Sequence, residues 1–287
     1  MTVCIHRRRL LCGVGLALGA FLAPIAVARP APLRIGLPPV FLDEQAAFLQ
    51  QWRGYLSERT GMPVQFVQRA SYREIVEPLL DGGLEMAWLC GYPYVHAQAQ
   101  LRLLAAPLYQ GRSEYQSYLI VRKDQPELRH LEDLGGRVFA FSDPNSFSGY
   151  LYPRYRLQQA GQHPDHFFRR HFFTWSHRKV AEAVASGLAD GGAMAGYVWD
   201  TLARDHPEIT ARTKVITRSD SHGFPPFVAR QDLSVARFEV VQSVFTGMHR
   251  DEQGRELLAR LNLDGFAVAD ATQYASIARI ARETGGG

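Results

Sequence analysis

The chain has 287 residues, 46% of them hydrophobic, and 32 Lys and Arg stand against 28 Asp and Glu. Arg7, Arg8 and Arg9 lie in a start segment without acids, and taking these three from the 32 leaves 29 basic against 28 acidic side chains. That balance excludes a basic nucleic-acid face, and the length is too great for one small core but suits two α/β lobes.

Residues 1–28 read as an export signal: three arginines, an apolar run from Leu10 to Val27, and a small-residue cleavage site at Ala26 to Ala28. The Arg7–Leu11 stretch also resembles a twin-arginine signal, with ordinary secretion as the alternative. An uncleaved membrane anchor competes with both, but Gly13, Gly15, Gly19 and Pro24 interrupt the run, and cleavage is expected. Cys4 and Cys12 fall inside this segment. The mature chain then keeps Cys90 alone and forms no internal disulfide, and a bacterial-type export leader with no disulfide requirement points to the periplasm or an equivalent space, with no stable membrane insertion.

In chain order, Leu33–Leu37 is expected as a strand, and a helix is expected from about Asp43 to Thr60, stopped by Gly61 to Pro63. Val64–Val67 alternates as a second strand. Ser71 reads as the N-cap of a helix over Tyr72–Leu80, with Glu74 completing a capping box. Met86–Leu89 reads as a buried third strand, and Leu101–Tyr109 and Ser117–Val121 as extended segments. A second series follows: strand Arg137–Phe141, helix Ser148–Ala160, strand Phe172–Trp175, helix His177–Ser186, strand Gly191–Ala193 and helix Tyr197–Arg204. Lys214–Thr217 and Phe224–Ala229 precede helices over Ser234–Met248, Glu252–Leu261 and Asp270–Arg282. This rhythm predicts an α/β fold of two lobes: 29–116, 117–223, and a return of 224–287 to the first lobe. A ligand cleft is expected between them.

Three loops each follow a strand and open a helix with hydroxyl-bearing residues: Ser71-Tyr72, Gly91 to Tyr94, and Ser146, Phe147, Ser148 and Gly149. The last follows the turn Asp143 to Asn145. Free N–H groups at a helix start, the helix dipole and serine hydroxyls together make an anion cradle; the alternative is simple capping. His177, at the head of the next helix, is placed to donate to an anion, with capping or surface exposure as the alternative. Asp190 is expected to serve turn and lobe contacts. Cys90 is either a buried inert thiol or a soft-ligand contact in the cleft. No metal site is expected: His163, His166 and His171 do not form a convincing set, and no H-E-x-x-H, C-x-x-C or Walker loop occurs. G-x-S-x-G is also absent.

Over residues 33–282 the chain resembles the periplasmic phosphate/phosphonate-binding proteins of ABC transporters, which have the two-lobed type II periplasmic binding fold. Asp143 to Pro153 is similar to that family's serine-threonine-serine-glycine loop with its trailing aromatic and proline. The resemblance also puts the family tyrosine ahead of the second helix on Tyr72, a second ligand tyrosine on Tyr94, and the family histidine with its trailing aspartate on His177 and Asp190. Phe147 stands where the family has threonine. The positions at which relatives hold a ligand amine with carboxylates fall on Tyr197 and near Pro225, neither acidic.

The resemblance implies a non-enzymatic periplasmic binding protein, without cofactor, for phosphate, phosphite or a phosphonate, delivering to an ABC permease. An ammonium group without a carboxylate would be poorly held in a closed cleft, so an oxyanion without an amine tail is expected. The rival reading is an oxyanion sensor signalling to a membrane histidine kinase, taking arsenite or a sulfur oxyanion through Cys90. A third reading, an enzyme on the same scaffold, lacks a nucleophile–base pair in the sequence.

Overall fold

The computed structural model describes residues 31–38 and 46–285. The expected export signal with Cys4 and Cys12, and the expected helix start near Asp43, lie outside them. The elements are β1 (Leu33–Leu37), α1 (Ala46–Thr60), β2 (Val64–Gln68), α2 (Arg73–Leu80), β3 (Met86–Trp88), α3 (Gly91–Ala97), β4 (Leu101–Leu108), β5 (Glu114–Tyr115) and β6 (Ser117–Arg122). They continue as β7 (Val138–Phe141), α4 (Tyr152–Gln159), α5 (Pro164–Phe167), β8 (Arg170–Phe173), α6 (His177–Ser186), β9 (Gly191–Ala195), α7 (Gly196–Asp205), α8 (Pro207–Thr210) and β10 (Thr213–Arg218). The chain closes with β11 (His222–Gly223), β12 (Phe227–Arg230), α9 (Val235–Gly247), α10 (Glu252–Arg260), β13 (Gly265–Ala267) and α11 (Ala275–Glu283).

Two main sheets organise these elements. A six-stranded sheet runs β13-β4-β12-β3-β1-β2, and a five-stranded sheet runs β10-β6-β9-β7-β8. Each has a parallel part, β2-β1-β3 in the first and β8-β7-β9 in the second. Each is extended by antiparallel strands, β12, β4 and β13 on one and β6 and β10 on the other. β3 and β9 are buried at every position, as continuous apolar runs inside helix-covered sheets must be. β5 pairs with β11 in a small ribbon, with Tyr115 opposite His222.

Trp52 of α1 anchors the first core, meeting Trp88, Phe227 and Phe245 edge-on at 6.0–6.3 Å between ring centres. Around the second sheet, Phe139 stacks on Phe168 at 4.4 Å and Phe141 stands edge-on to Tyr150. α6 ends on Gly187, whose φ of +80° suits a left-handed cap that only glycine adopts without strain.

Three elements differ from the sequence expectation for local physical reasons. The expected strand Phe172–Trp175 is displaced to Arg170–Phe173, because Trp175 takes φ +61° and cannot continue an extended ladder. The helix expected to start at Ser148 opens instead as a π turn over Phe147–Leu151, and α4 proper begins at Tyr152. The last helix is preceded by a 3₁₀ turn over Ala271–Tyr274, which Asp270 caps by accepting the Thr272 N–H at 2.7 Å.

Candidate functional site

A cavity lies where β3, the π turn, α6, α7 and the β5 ribbon meet, with about 20 Å³ open to the centres of water molecules. Tyr72, Trp88, Leu89, Cys90, Tyr115 and Ser148 form part of its wall. His177, Ala195, Tyr197, Val198, Phe224, Pro225 and Pro38 complete it. Among the described residues, no Asp, Glu, Lys or Arg belongs to this lining.

The π turn is built from its own sequence. The Ser146 hydroxyl accepts the Gly149 N–H at 3.0 Å, and the Ser146 carbonyl accepts the Leu151 N–H at 3.0 Å. Ser146 thus spends its side chain on capping, while Ser148 turns its hydroxyl to the cavity. A Cβ on Gly149 would collide with Ser142 Oγ and stand 2.7 Å from Ser142 Cβ, so the turn can close against β7 only with glycine there. Asp143 Oδ1 accepts the Asn145 N–H at 2.7 Å and fixes the preceding turn.

The start of α2 meets this loop. Ser71 Oγ accepts the Glu74 N–H at 3.3 Å, and Glu74 Oε2 accepts the Ala70 N–H at 3.0 Å, a capping box displaced by one residue. The Tyr72 N–H donates across to Asp143 Oδ2 at 3.1 Å. Burial raises the Asp143 carboxyl above its ordinary range, opposed by the N–H bonds from Asn145 and Tyr72.

His177 heads α6 and is almost fully buried. Its Nδ1 accepts the Ala195 N–H at 3.1 Å, which puts the proton of the neutral ring on Nε2. Burial pushes its pKa down to about 4, so at neutral pH the ring is an uncharged Nε2–H donor. Burial also raises the Tyr72, Tyr115 and Tyr197 hydroxyls well above the ordinary tyrosine range, and they stay protonated. Ser148 Oγ and the Tyr115 hydroxyl are buried on this wall near each other and near the Cys90 sulfur, yet neither makes a hydrogen bond of ordinary geometry among the described residues. A buried hydroxyl without a well-formed hydrogen bond costs about 1–3 kcal/mol, so both groups have donor capacity to offer a bound molecule.

The residues singled out in the sequence divide as follows. Tyr72, Cys90, Ser148, His177 and Tyr197 line the cavity together. Tyr197 offers its ring, since its hydroxyl donates to the Leu261 carbonyl. Phe147 is fully buried, its ring facing Tyr115, Tyr152 and His222. Ser146 and Gly149 shape the turn without lining the cavity. Tyr94 is not among the lining residues either; it packs edge-on against Tyr274 at 4.9 Å. Asp190 Oδ2 accepts the Val138 N–H at 2.8 Å, a structural contact.

The tyrosine that reaches the cavity in its place is Tyr115, which the sequence reading passed over. It lies in the short polar stretch Gly111 to Ser117, and an aromatic residue within such a joint was the only sign available. Ala195 and Phe224 left no sequence signal, because they contribute by backbone or by shape alone.

The sequence matches the profile of the ABC-transporter phosphonate periplasmic substrate-binding proteins over residues 35–274. The chain belongs to this family. As a family member it is the solute-binding component of an ABC transport system, with the type II periplasmic binding fold. It is 28% identical over 202 residues to the phosphate-import protein of Mycolicibacterium smegmatis, covering 66% of this chain and 63% of that protein. A probable ABC-transporter phosphite-binding protein of Prochlorococcus marinus is 25% identical over 285 residues, 93% of this chain and 94% of the relative. The structure of that organism's protein in complex with methylphosphonate superposes with a TM-score of 0.80 at 24% identity, over 88% of this chain and 98% of that one. Family membership implies a small ligand and a permease partner. Among the described residues no helix is long and apolar enough to cross a membrane.

Proposed function

We propose that the cavity binds a small phosphorus oxyanion whose fourth substituent is oxygen, hydrogen or a short alkyl group: phosphate, phosphite or methylphosphonate. The observation that carries this reading is the pair of buried hydroxyls, Ser148 Oγ and Tyr115 OH, which make no hydrogen bond of ordinary geometry among the described residues and share a wall with the His177 ring. Hydroxyl and imidazole donors suit a tetrahedral anion, and with no cation among the described lining residues they hold it by hydrogen bonds. Trp88, Leu89, Val198, Phe224 and Pro225 present an apolar surface to the remaining substituent. Tyr197 and Pro225 offer no carboxylate to an ammonium group, so aminoalkylphosphonates are disfavoured. The phosphate, phosphite and methylphosphonate named for the relatives support the same class.

The role is capture without chemistry. The imidazole Nδ1 is held by the Ala195 N–H, which leaves His177 a hydrogen-bond donor rather than a base toward the cavity. Lobes of 29–116 with 224–287, and of 117–223, would close on the anion after export through a cleaved signal of residues 1–28, and the closed form would be read by the permease. The rival sensor reading, with a soft ligand on Cys90, is less well supported: the wall carries a single thiol, and its sulfur already accepts the Phe147 N–H.

Calorimetry with phosphite, methylphosphonate, phosphate and 2-aminoethylphosphonate tests the proposal. Binding of at least one of the first three, with little or none of the fourth, is expected. Absence of heat from all of them overturns it.

A further inference from the structure

Cys90 ends the loop after β3 and is the N-cap residue of α3, with extended backbone geometry. Its side chain is 1% exposed. Its sulfur stands 3.2 Å from the Phe147 nitrogen and accepts that N–H. Burial raises the thiol above its ordinary pKa, so it faces the cavity as a neutral S–H. Ser148 Oγ, buried on the same wall with no hydrogen bond of ordinary geometry among the described residues, points to a ligand in this cavity, and the Tyr115 hydroxyl lies near both it and the Cys90 sulfur.

Phe147 opens the π turn, and the N–H groups at such an opening are the natural donors to an anion. We propose that Cys90 is a specificity-determining residue: its sulfur takes the Phe147 amide proton, removes that donor from the anion site and fills the space beside it. This inference rests on the oxyanion reading above.

The consequence is a site with few donors and an apolar remainder. An anion with three phosphorus-bound oxygens, such as phosphite or methylphosphonate, can turn its hydrogen or methyl toward Trp88, Leu89 and Val198. Phosphate must place a fourth oxygen against the same apolar wall, where an unpaired polar atom is penalised. Deleting the thiol would open room next to the Phe147 N–H, and a fourth oxygen could accept from it.

The test is calorimetric titration of wild type, Cys90→Ala and Cys90→Ser with phosphite and with phosphate. In Cys90→Ala the ratio of phosphate Kd to phosphite Kd should fall on the order of tenfold, the weight of one hydrogen bond to a charged group. In Cys90→Ser a hydroxyl still accepts the Phe147 N–H, and the ratio should stay within about threefold of wild type. An unchanged ratio in Cys90→Ala, or equal loss of both anions, overturns the proposal. A second readout needs no variant: with phosphite bound to wild type, the Phe147 amide should show no through-hydrogen-bond nitrogen–phosphorus coupling. A coupling at that amide overturns the proposal even if the variants fail to fold. No heat from wild type with either these anions or methylphosphonate removes the oxyanion reading and this inference with it, whereas binding with an unchanged ratio removes this inference alone.

Discussion

The Tyr72 N–H donates to Asp143 Oδ2 at 3.1 Å, tying the start of the helix after β2 to the loop after β7. One carboxylate therefore bridges the two sheets, since its other oxygen holds the Asn145 N–H. Asp143 is 2% exposed, and both amides would lose their acceptor in Asp143→Ala. That variant should lose about 1–3 kcal/mol in urea denaturation. It should also bind phosphite more weakly, because the Tyr72 segment and the loop after β7 lose the bond that holds them together at the cavity. Equal affinity in calorimetry would show that the bridge plays no part in binding.

Ser148 and Tyr115 should behave in the opposite way. Their hydroxyls make no hydrogen bond of ordinary geometry among the described residues, so Ser148→Ala and Tyr115→Phe remove a desolvation penalty together with a weak contact between them. The ligand-free protein should melt at the same temperature or slightly higher. Phosphite affinity should nevertheless fall on the order of tenfold for each, as expected for a lost hydrogen bond to an anion. A large loss of stability without ligand would show that these groups already make a well-formed bond.

Gly149→Ala tests the fit of the π turn against β7. The added methyl collides with Ser142, itself fully buried, and overpacking of this kind costs about 1–3 kcal/mol. Anion binding should be lost with the turn geometry. Gly149→Ala combined with Ser142→Gly should recover part of both, and a double-mutant cycle with no coupling would refute the steric account.

Acid should weaken the fold through two buried histidines. His177 and His222 are each pushed down to about 4 from 6.5 by burial. Above about pH 6.5 they are neutral in both folded and unfolded chains. As the pH falls from there to about 4, the unfolded chain binds protons that the folded one refuses, and their contribution is lost across that window. Urea midpoints measured from pH 7 to pH 4 should show the decline, and His177→Gln should flatten it. An unaltered slope in that variant would assign the decline to other groups.

Much of the α/β framework was legible in the sequence because its signals are local. Gly61 to Pro63 stops α1, Gly187 caps α6, and the short apolar runs read as strands at Met86–Leu89 and Gly191–Ala193 are found as β3 (Met86–Trp88) and β9 (Gly191–Ala195). The loop from Asp143 to Tyr150 was likewise readable as a strand followed by a capped helical turn. Less legible was the division of labour inside it. Ser146 and Ser148 are indistinguishable as residue types, and only the π turn sends one hydroxyl to Gly149 and the other to the cavity.

The sequence by itself determined the rhythm of strands and helices, the family resemblance, and the hydroxyl-bearing loops that open its helices. Those follow from hydrophobic spacing, turn residues and short motifs, all of which act over a few positions. Only the tertiary structure decided that Tyr115 rather than Tyr94 reaches the cavity, that His177 carries its proton on Nε2, and that Cys90 holds the Phe147 amide. Each depends on partners 18 to 57 residues away or on the meeting of two sheets. Contacts at that range leave no periodicity in the chain, because they are set by how separate elements pack.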